Sequence, residues 1–188
     1  MDWLWIVIAV VVIVVIVALA VPLLRRRRKT KDLQEGFGPE YERTLEERGG
    51  SRSDAEEELS GRRERRDKLD IKPLETHVRE HYVEAWERVQ RTFVDTPGEA
   101  LHDSHTLVLE VMERRGYPTD DFDQRAADIS VDHPEVVQNY RAAHAVSQAS
   151  ERDRVSTEEQ RKALVHYRAL FDELLAVEPA AERQEVSR

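Results

Sequence analysis

A long run without charge dominates the start of this chain. Trp3 to Leu24 spans 22 positions with no charged side chain, and 16 of them are Val, Ile or Leu. As a helix this run is about 33 Å long, enough to cross a hydrocarbon core of roughly 30 Å. A strand in lipid would leave its backbone N–H and C=O groups unpaired. The sequence therefore predicts a short N-terminus and a single-pass transmembrane helix within residues 1–24.

A cleaved signal peptide is the alternative interpretation of the same run. Ala18-Leu19-Ala20 has the small-x-small form of a cleavage site. A signal peptide carries positive charge before an apolar region of about 7–15 residues, whereas only Met1 and Asp2 come first here. The sequence therefore favours a retained membrane anchor.

Basic residues follow the run directly and predict its orientation. Six of the seven residues from Arg25 to Lys31 are Arg or Lys, against none before the run. Since basic flanks stay in the cytoplasm, we expect the N-terminus outside and the C-terminal domain in the cytoplasm, at the inner (plasma) membrane. Contacts with anionic lipid head groups are expected from Arg25, Arg26, Arg27, Arg28 and Lys29.

The rest of the chain is acidic. Residues 32–188 carry 37 acidic and 23 basic side chains, a charge of about −14. Because neutralised phosphates supply most of the attraction to nucleic acid, no nucleic-acid partner is expected. The chain has no cysteine, which excludes disulfides, thiolate nucleophiles and thiolate metal sites.

Residues 25–74 are predicted to form a basic juxtamembrane run and a helical stalk. A glycine-rich break before Pro39 should separate any helix leaving the membrane from a short helix that stops at Gly49-Gly50. A second helix, from about Asp54 to Leu69, has acids first and bases last, which suits the helix dipole. Its apolar stripe is thin, so we expect a solvated helix of marginal stability.

Residues 75–177 are predicted to fold as a soluble helical domain, followed by a disordered tail over 178–188. No segment shows sustained period-two alternation, so the fold class is all-α, with a compact antiparallel bundle of about five helices. The predicted helices run from Glu75 to Val94, from a capping box at Thr96 to Gly116, from a cap at Thr119, from Asp132-His133-Pro134, and from a capping box at Ser156.

Two pairs of histidines are candidates for metal chemistry. His77 and His81 lie four residues apart on one predicted helix, and His102 and His105 lie three apart on the next. Such pairs need further ligands from elsewhere, and the zincin pattern needs a Glu directly after the first His, where this chain has a valine. No catalytic residue, metal site or cofactor is therefore assigned, and a metal-dependent enzyme is kept as an alternative.

A protein partner is expected to contact aromatic and polar side chains near helix junctions. The stalk helix at 39–48 has no predicted core of its own, so its apolar residues either dock on the domain or face a partner. The segment Gly116–Tyr140 concentrates special turn residues around a helix junction. The predicted partner surface consists of Tyr41, Leu45, Phe122, Gln124, Arg125 and His133.

Two long stretches have the form of family motifs. They read FGPEYERTLEE at 37–47 and RGYPTDDFDQRAADISVDHP at 115–134, with KLDIKPL between them at 68–74. On these motifs the chain resembles a family of uncharacterised bacterial single-pass membrane proteins over most of residues 33–175. The resemblance implies an anchored helical domain and brings no activity, ligand or catalytic residue with it.

The function predicted first is a membrane-tethered, non-enzymatic interaction or scaffold module with a protein partner in the cytoplasm. Tethering would confine the domain to the membrane surface and raise its effective concentration there. A metal-dependent enzyme is the second hypothesis. A membrane-linked sensor or stress-response component is the third, and nothing in the sequence separates it from the first.

Overall fold

The computed structural model describes Trp3, residues 27–150, Arg152 and residues 155–176. Of the predicted span only Trp3 is among them, so the predicted transmembrane helix lies outside the described residues, as do Arg25, Arg26 and the predicted tail. Within the described part of the chain, no helix combines the length and the apolar character that crossing a membrane requires.

The regular structure of the described residues is entirely helical, which confirms the all-α prediction. The chain divides into two compact units between Leu59 and Ser60, whereas the sequence placed the boundary after residue 74. Residues 27–37 are helical and are labelled α1. The helices that follow are α2 (Pro39–Glu47), α3 (Arg52–Arg66), α4 (Thr76–Asp95), α5 (Pro97–Arg115), α6 (Phe122–Asp132), α7 (Val137–Ser150) and α8 (Thr157–Ala176).

Unit 1 contains α1, α2 and the first part of α3, and it buries apolar side chains of its own. Gly38 separates α1 from α2 with a φ of +47°, a left-handed value that favours glycine. The predicted solvated stalk is therefore wrong for this unit, because five of its apolar side chains are at most 2% exposed: Leu33, Phe37, Tyr41, Ala55 and Leu59.

Unit 2 contains the five predicted helices α4 to α8, which pack as a bundle. α5 packs against α4 and α8, and α8 also packs against α7, while α6 lies against α7. Trp86 of α4 is fully buried, and its ring centroid lies 4.6 Å from that of Phe171 on α8. Other fully or almost fully buried side chains of this core are Leu101, Val108, Met112, Ile129, Tyr140, Tyr167, Leu170 and Leu174.

The helix starts agree with the sequence only in part. The capping box at Ser156 is confirmed, since Glu159 Oε2 accepts from the Ser156 backbone N–H and hydroxyl, both at 2.7 Å. The box predicted at Thr96 is wrong, because this hydroxyl donates back to the Thr92 carbonyl at 3.4 Å, in the last turn of α4. The cap of α6 is Asp121 rather than Thr119.

Candidate functional site

The end of α6 is held by a buried polar cluster around Asp132. This carboxylate accepts from Arg66 Nε at 2.7 and 2.8 Å and from the Tyr117 hydroxyl at 2.6 Å. Burial, and then the charge of Asp132, raise the pKa of Tyr117, so the phenol stays protonated and donates. Asp132 is the last residue of α6 and α7 begins at Val137, so the helix start predicted at Asp132-His133-Pro134 is wrong.

The arginine-rich end of α3 belongs to this cluster rather than to a solvated stalk. Arg62 is 6% exposed, and its Nη1 donates to Ser130 Oγ at 3.4 Å. Arg65 Nε lies 3.9 Å from Oδ1 of Asp128, one helical turn before Asp132 on α6. Because these contacts join the last turns of α3 to α6, the unit boundary falls before them.

A second buried cluster joins the end of α5 to α8. The Arg115 side chain, 3% exposed, donates to the carbonyl of Leu174 at 2.9 Å and to that of Lys72 at 3.3 Å. His133 Nδ1 lies 3.3 Å from Glu173 Oε1, and burial followed by the Arg115 charge lowers the pKa of His133. These side chains hold helix ends together, so their role in the structure is to orient α5, α6 and α8.

The predicted partner surface is only partly exposed. Arg125 is 5% exposed because its Nε donates to the Tyr140 hydroxyl at 2.6 Å and its Nη1 donates to the Thr119 carbonyl. His133 is 2% and Tyr41 1% exposed. Burial therefore removes three residues from the predicted surface, and those that remain half-exposed are Leu45, Phe122 and Gln124.

A cluster of aromatic and histidine rings, which the sequence did not predict, lies where α5, α6, α7 and α8 meet. The Phe122 ring stacks on His144 with centroids 3.8 Å apart, and His105 lies 5.4 Å from His144. The Tyr167 hydroxyl lies 3.0 Å from His105 Nδ1. His144 and Tyr167 fall on the buried faces of their helices, so the periodicity marks them as core and cannot show which rings they meet.

The two histidine pairs do not converge. His77 and His81 are exposed on α4, and His77 Nδ1 lies 3.4 Å from Glu75. His102 is exposed, whereas His105 turns into the ring cluster. Among the described residues no three His, Cys, Asp or Glu side chains are grouped closely enough to hold a metal ion.

A polar cleft adjoins the ring cluster, between the start of α5 and the end of α7. Its volume is about 460 Å³, within the range of about 300–1,000 Å³ typical of ligand sites. His102 precedes His105 by about one turn of α5, and Ser147 follows His144 by about one turn of α7, so the cleft lies next to the half-exposed rings of His105, His144 and Phe122. We call the cleft together with these three rings the α5–α7 face. The cleft is lined by Gly98, Glu99, Leu101, His102, Asp103, Ser147 and Ser150.

The ring cluster contains a histidine, His105, whose burial makes the protein less stable at acidic pH. Burial, helped by the charges of His144, Arg125 and His102, lowers the pKa of His105 to about 4. In the unfolded chain a histidine titrates near pH 6.5, so between these values the unfolded state binds more protons. Stability is therefore fully present above about pH 6.5 and declines as the pH falls toward 4.

Between pH 7 and pH 4.5 we expect the titration of His105 alone to lower the free energy of unfolding by roughly 1–2 kcal/mol. This figure allows for solvent screening of a half-buried ring. Urea titrations followed by circular dichroism at pH 7 and pH 4.5 measure the decline. His105→Gln, which cannot titrate, should show a shallower decline by that amount. If the free energy of unfolding declines equally in the original protein and in His105→Gln, His105 is not the group responsible.

Comparison with models of protein families, with curated proteins and with solved structures gives no match. The resemblance to a family of single-pass membrane proteins stays a prediction.

Proposed function

We propose that this protein is a membrane-tethered helical interaction module. One observation carries the proposal: the run from Trp3 to Leu24 has no charge, and six basic residues follow within Arg25–Lys31. Each Val, Ile or Leu near the bilayer centre favours insertion by roughly 0.3–0.6 kcal/mol, so 16 of them contribute on the order of 5–10 kcal/mol. The basic residues then hold the rest of the chain on the cytoplasmic side.

The described part of the chain supports presentation of a folded module rather than an extended tail. Residues 27–59 and 60–176 contribute to two compact helical units, with buried apolar side chains in each. A folded domain held at the membrane meets other membrane-bound partners at a raised effective concentration, which strengthens a weak contact without any new interaction.

The α5–α7 face is the part of unit 2 that we assign to the protein partner. Half-exposed Phe122, His105 and His144 offer ring surface, and the cleft beside them offers the carboxylates of Glu99 and Asp103. Protein interfaces typically combine aromatic anchors with a polar rim that excludes water. The two carboxylates favour a partner segment that carries positive charge.

Anchoring and topology can be tested in intact cells with a biotin ligase fused after Arg188. We expect the full chain to stay in the membrane pellet after alkaline carbonate, to label cytoplasmic proteins, and to resist protease added outside the cells. A chain lacking residues 2–24 should become soluble. Release of the full chain by carbonate, digestion from outside, or a mature N-terminus at Val21 would overturn the proposal.

The partner face is tested in the same experiment by a matched pair of charge reversals. Asp103→Arg changes the cleft, whereas Glu84→Arg places the same change on an exposed position of α4 outside the cleft. We expect Asp103→Arg to remove the dominant labelled partner and Glu84→Arg to keep it. If both variants label the same partner as the original protein, the α5–α7 face is not the contact.

A further inference from the structure

A basic cavity lies in unit 1, between α1 and the first turns of α3. Its volume is about 440 Å³. The α1 residues lie at intervals of three and four, which places them on one face of that helix. The cavity is lined by Arg27, Thr30, Lys31 and Gln34 from α1, and by Arg52, Ser53 and Glu56 from α3.

The charge of this cavity differs in sign from that of its surroundings. Residues 27–59 carry ten acidic and seven basic side chains, yet the lining has three cations and one carboxylate. The carboxylate, Glu56, has Oε1 within 2.7 Å of the Thr30 hydroxyl and 3.4 Å of the Tyr41 hydroxyl, which both donate to it. The lining cations, Arg27, Lys31 and Arg52, outnumber its single acid three to one.

The donors around the cavity suit a phosphate group. Guanidinium groups bind phosphate through paired N–H donors, and an ammonium adds a compact point charge. Lys31 lies 3.5 Å from Glu35 in an ion pair that is mostly exposed on both sides, and such a pair costs little to break. The first N–H groups of α3, beside Arg52 and Ser53, lack acceptors within their own helix and add partial positive charge.

The cavity lies close in sequence to the predicted membrane span, so lipid phosphates are within its reach. Arg27 is three residues after Leu24, the last residue of the predicted span, so at most about 11 Å of chain separates them. That distance is comparable to the depth of the head-group layer that flanks the hydrocarbon core. We propose that this cavity binds the phosphate of an anionic lipid head group, an inference that rests on the membrane tether proposed above.

The test uses the full chain in neutral detergent micelles, with native mass spectrometry counting the bound molecules. The probes are dioctanoyl phosphatidic acid, dioctanoyl phosphatidylcholine and inorganic phosphate. We expect one phosphatidic acid to bind in a saturable way, much more tightly than phosphatidylcholine. Arg52→Ala should weaken it by about tenfold or more, because one charge-assisted phosphate contact is lost.

A matched control separates a built cavity from diffuse attraction. Arg43 is on α2 in the same unit, outside the cavity and paired with Glu47, so Arg43→Ala should change binding by less than about twofold. Equal weakening by both variants, or no saturable binding, would overturn the cavity site. If inorganic phosphate binds as tightly as phosphatidic acid, the cavity is a phosphate site but its ligand is not a lipid head group. Carbonate extraction of the same proteins reports the membrane tether separately, so the two proposals fail independently.

Discussion

Replacing Trp86 by alanine is expected to lower the free energy of unfolding by about 3–5 kcal/mol. The side chain is fully buried between α4 and α8, with its ring against Phe171 and the Arg168 guanidinium 5.4 Å from its centroid. Its removal leaves a large apolar cavity where α4 meets the rest of unit 2. Urea titration of the full chain in neutral detergent, followed by circular dichroism, measures the loss.

The control for this substitution is on the same helix. Val94 is 80% exposed near the end of α4, so Val94→Ala should change the free energy of unfolding by less than about 0.5 kcal/mol. Comparable losses in the two variants would show that α4 packs differently from the arrangement described.

Replacing Asp132 by alanine is expected to cost roughly 2–4 kcal/mol, the second largest effect. The change removes the acceptor of both Arg66 and Tyr117, which leaves a mostly buried guanidinium and a phenol hydroxyl without that partner. Since Arg66 joins α3 to α6, the loss should also loosen the end of α3. Hydrogen exchange of the last turn of α3 measures that loosening.

A double-mutant cycle shows whether the cost comes from the pair. Arg66→Ala combined with Asp132→Ala should cost less than the sum of the two single changes, by about 1–3 kcal/mol. The exposed pair of Arg43 and Glu47, four residues apart on α2, should give a coupling of only about 0.3–0.5 kcal/mol. Additive effects at Arg66 and Asp132 would contradict the described network.

The helices of unit 2 could be predicted because their signals are local. The apolar spacing from Glu75 to Val94 predicted α4 to within one residue of its observed ends, Thr76 and Asp95. Gly116 ends α5 in a left-handed conformation with a φ of +99°, as a glycine after a helix predicts. Each signal depends on residues within one or two turns.

The candidate site was predicted less well, because its residues depend on distant partners. The sequence predicts a solvated helix end at Arg62 and Arg66 and a partner-facing position at Arg125, because each has the charge of a surface residue. Burial is tolerated because each finds an acceptor elsewhere, such as Asp132, which lies 66 residues after Arg66. Phe122, by contrast, stays half-exposed and remains a candidate for the partner face.

By itself, the sequence determined the helical class, the helices of unit 2 and the uncharged run that predicts a membrane anchor, since these follow from the spacing of apolar residues along one segment. Only the tertiary structure decided which charged side chains are buried, which rings meet across α5, α7 and α8, and which basic residues share a cavity. The physical reason is that a charged side chain can be buried without a large loss of stability only when a partner from another segment replaces its hydration. Whether such a partner is present depends on how distant segments pack, so the local sequence pattern does not predict it.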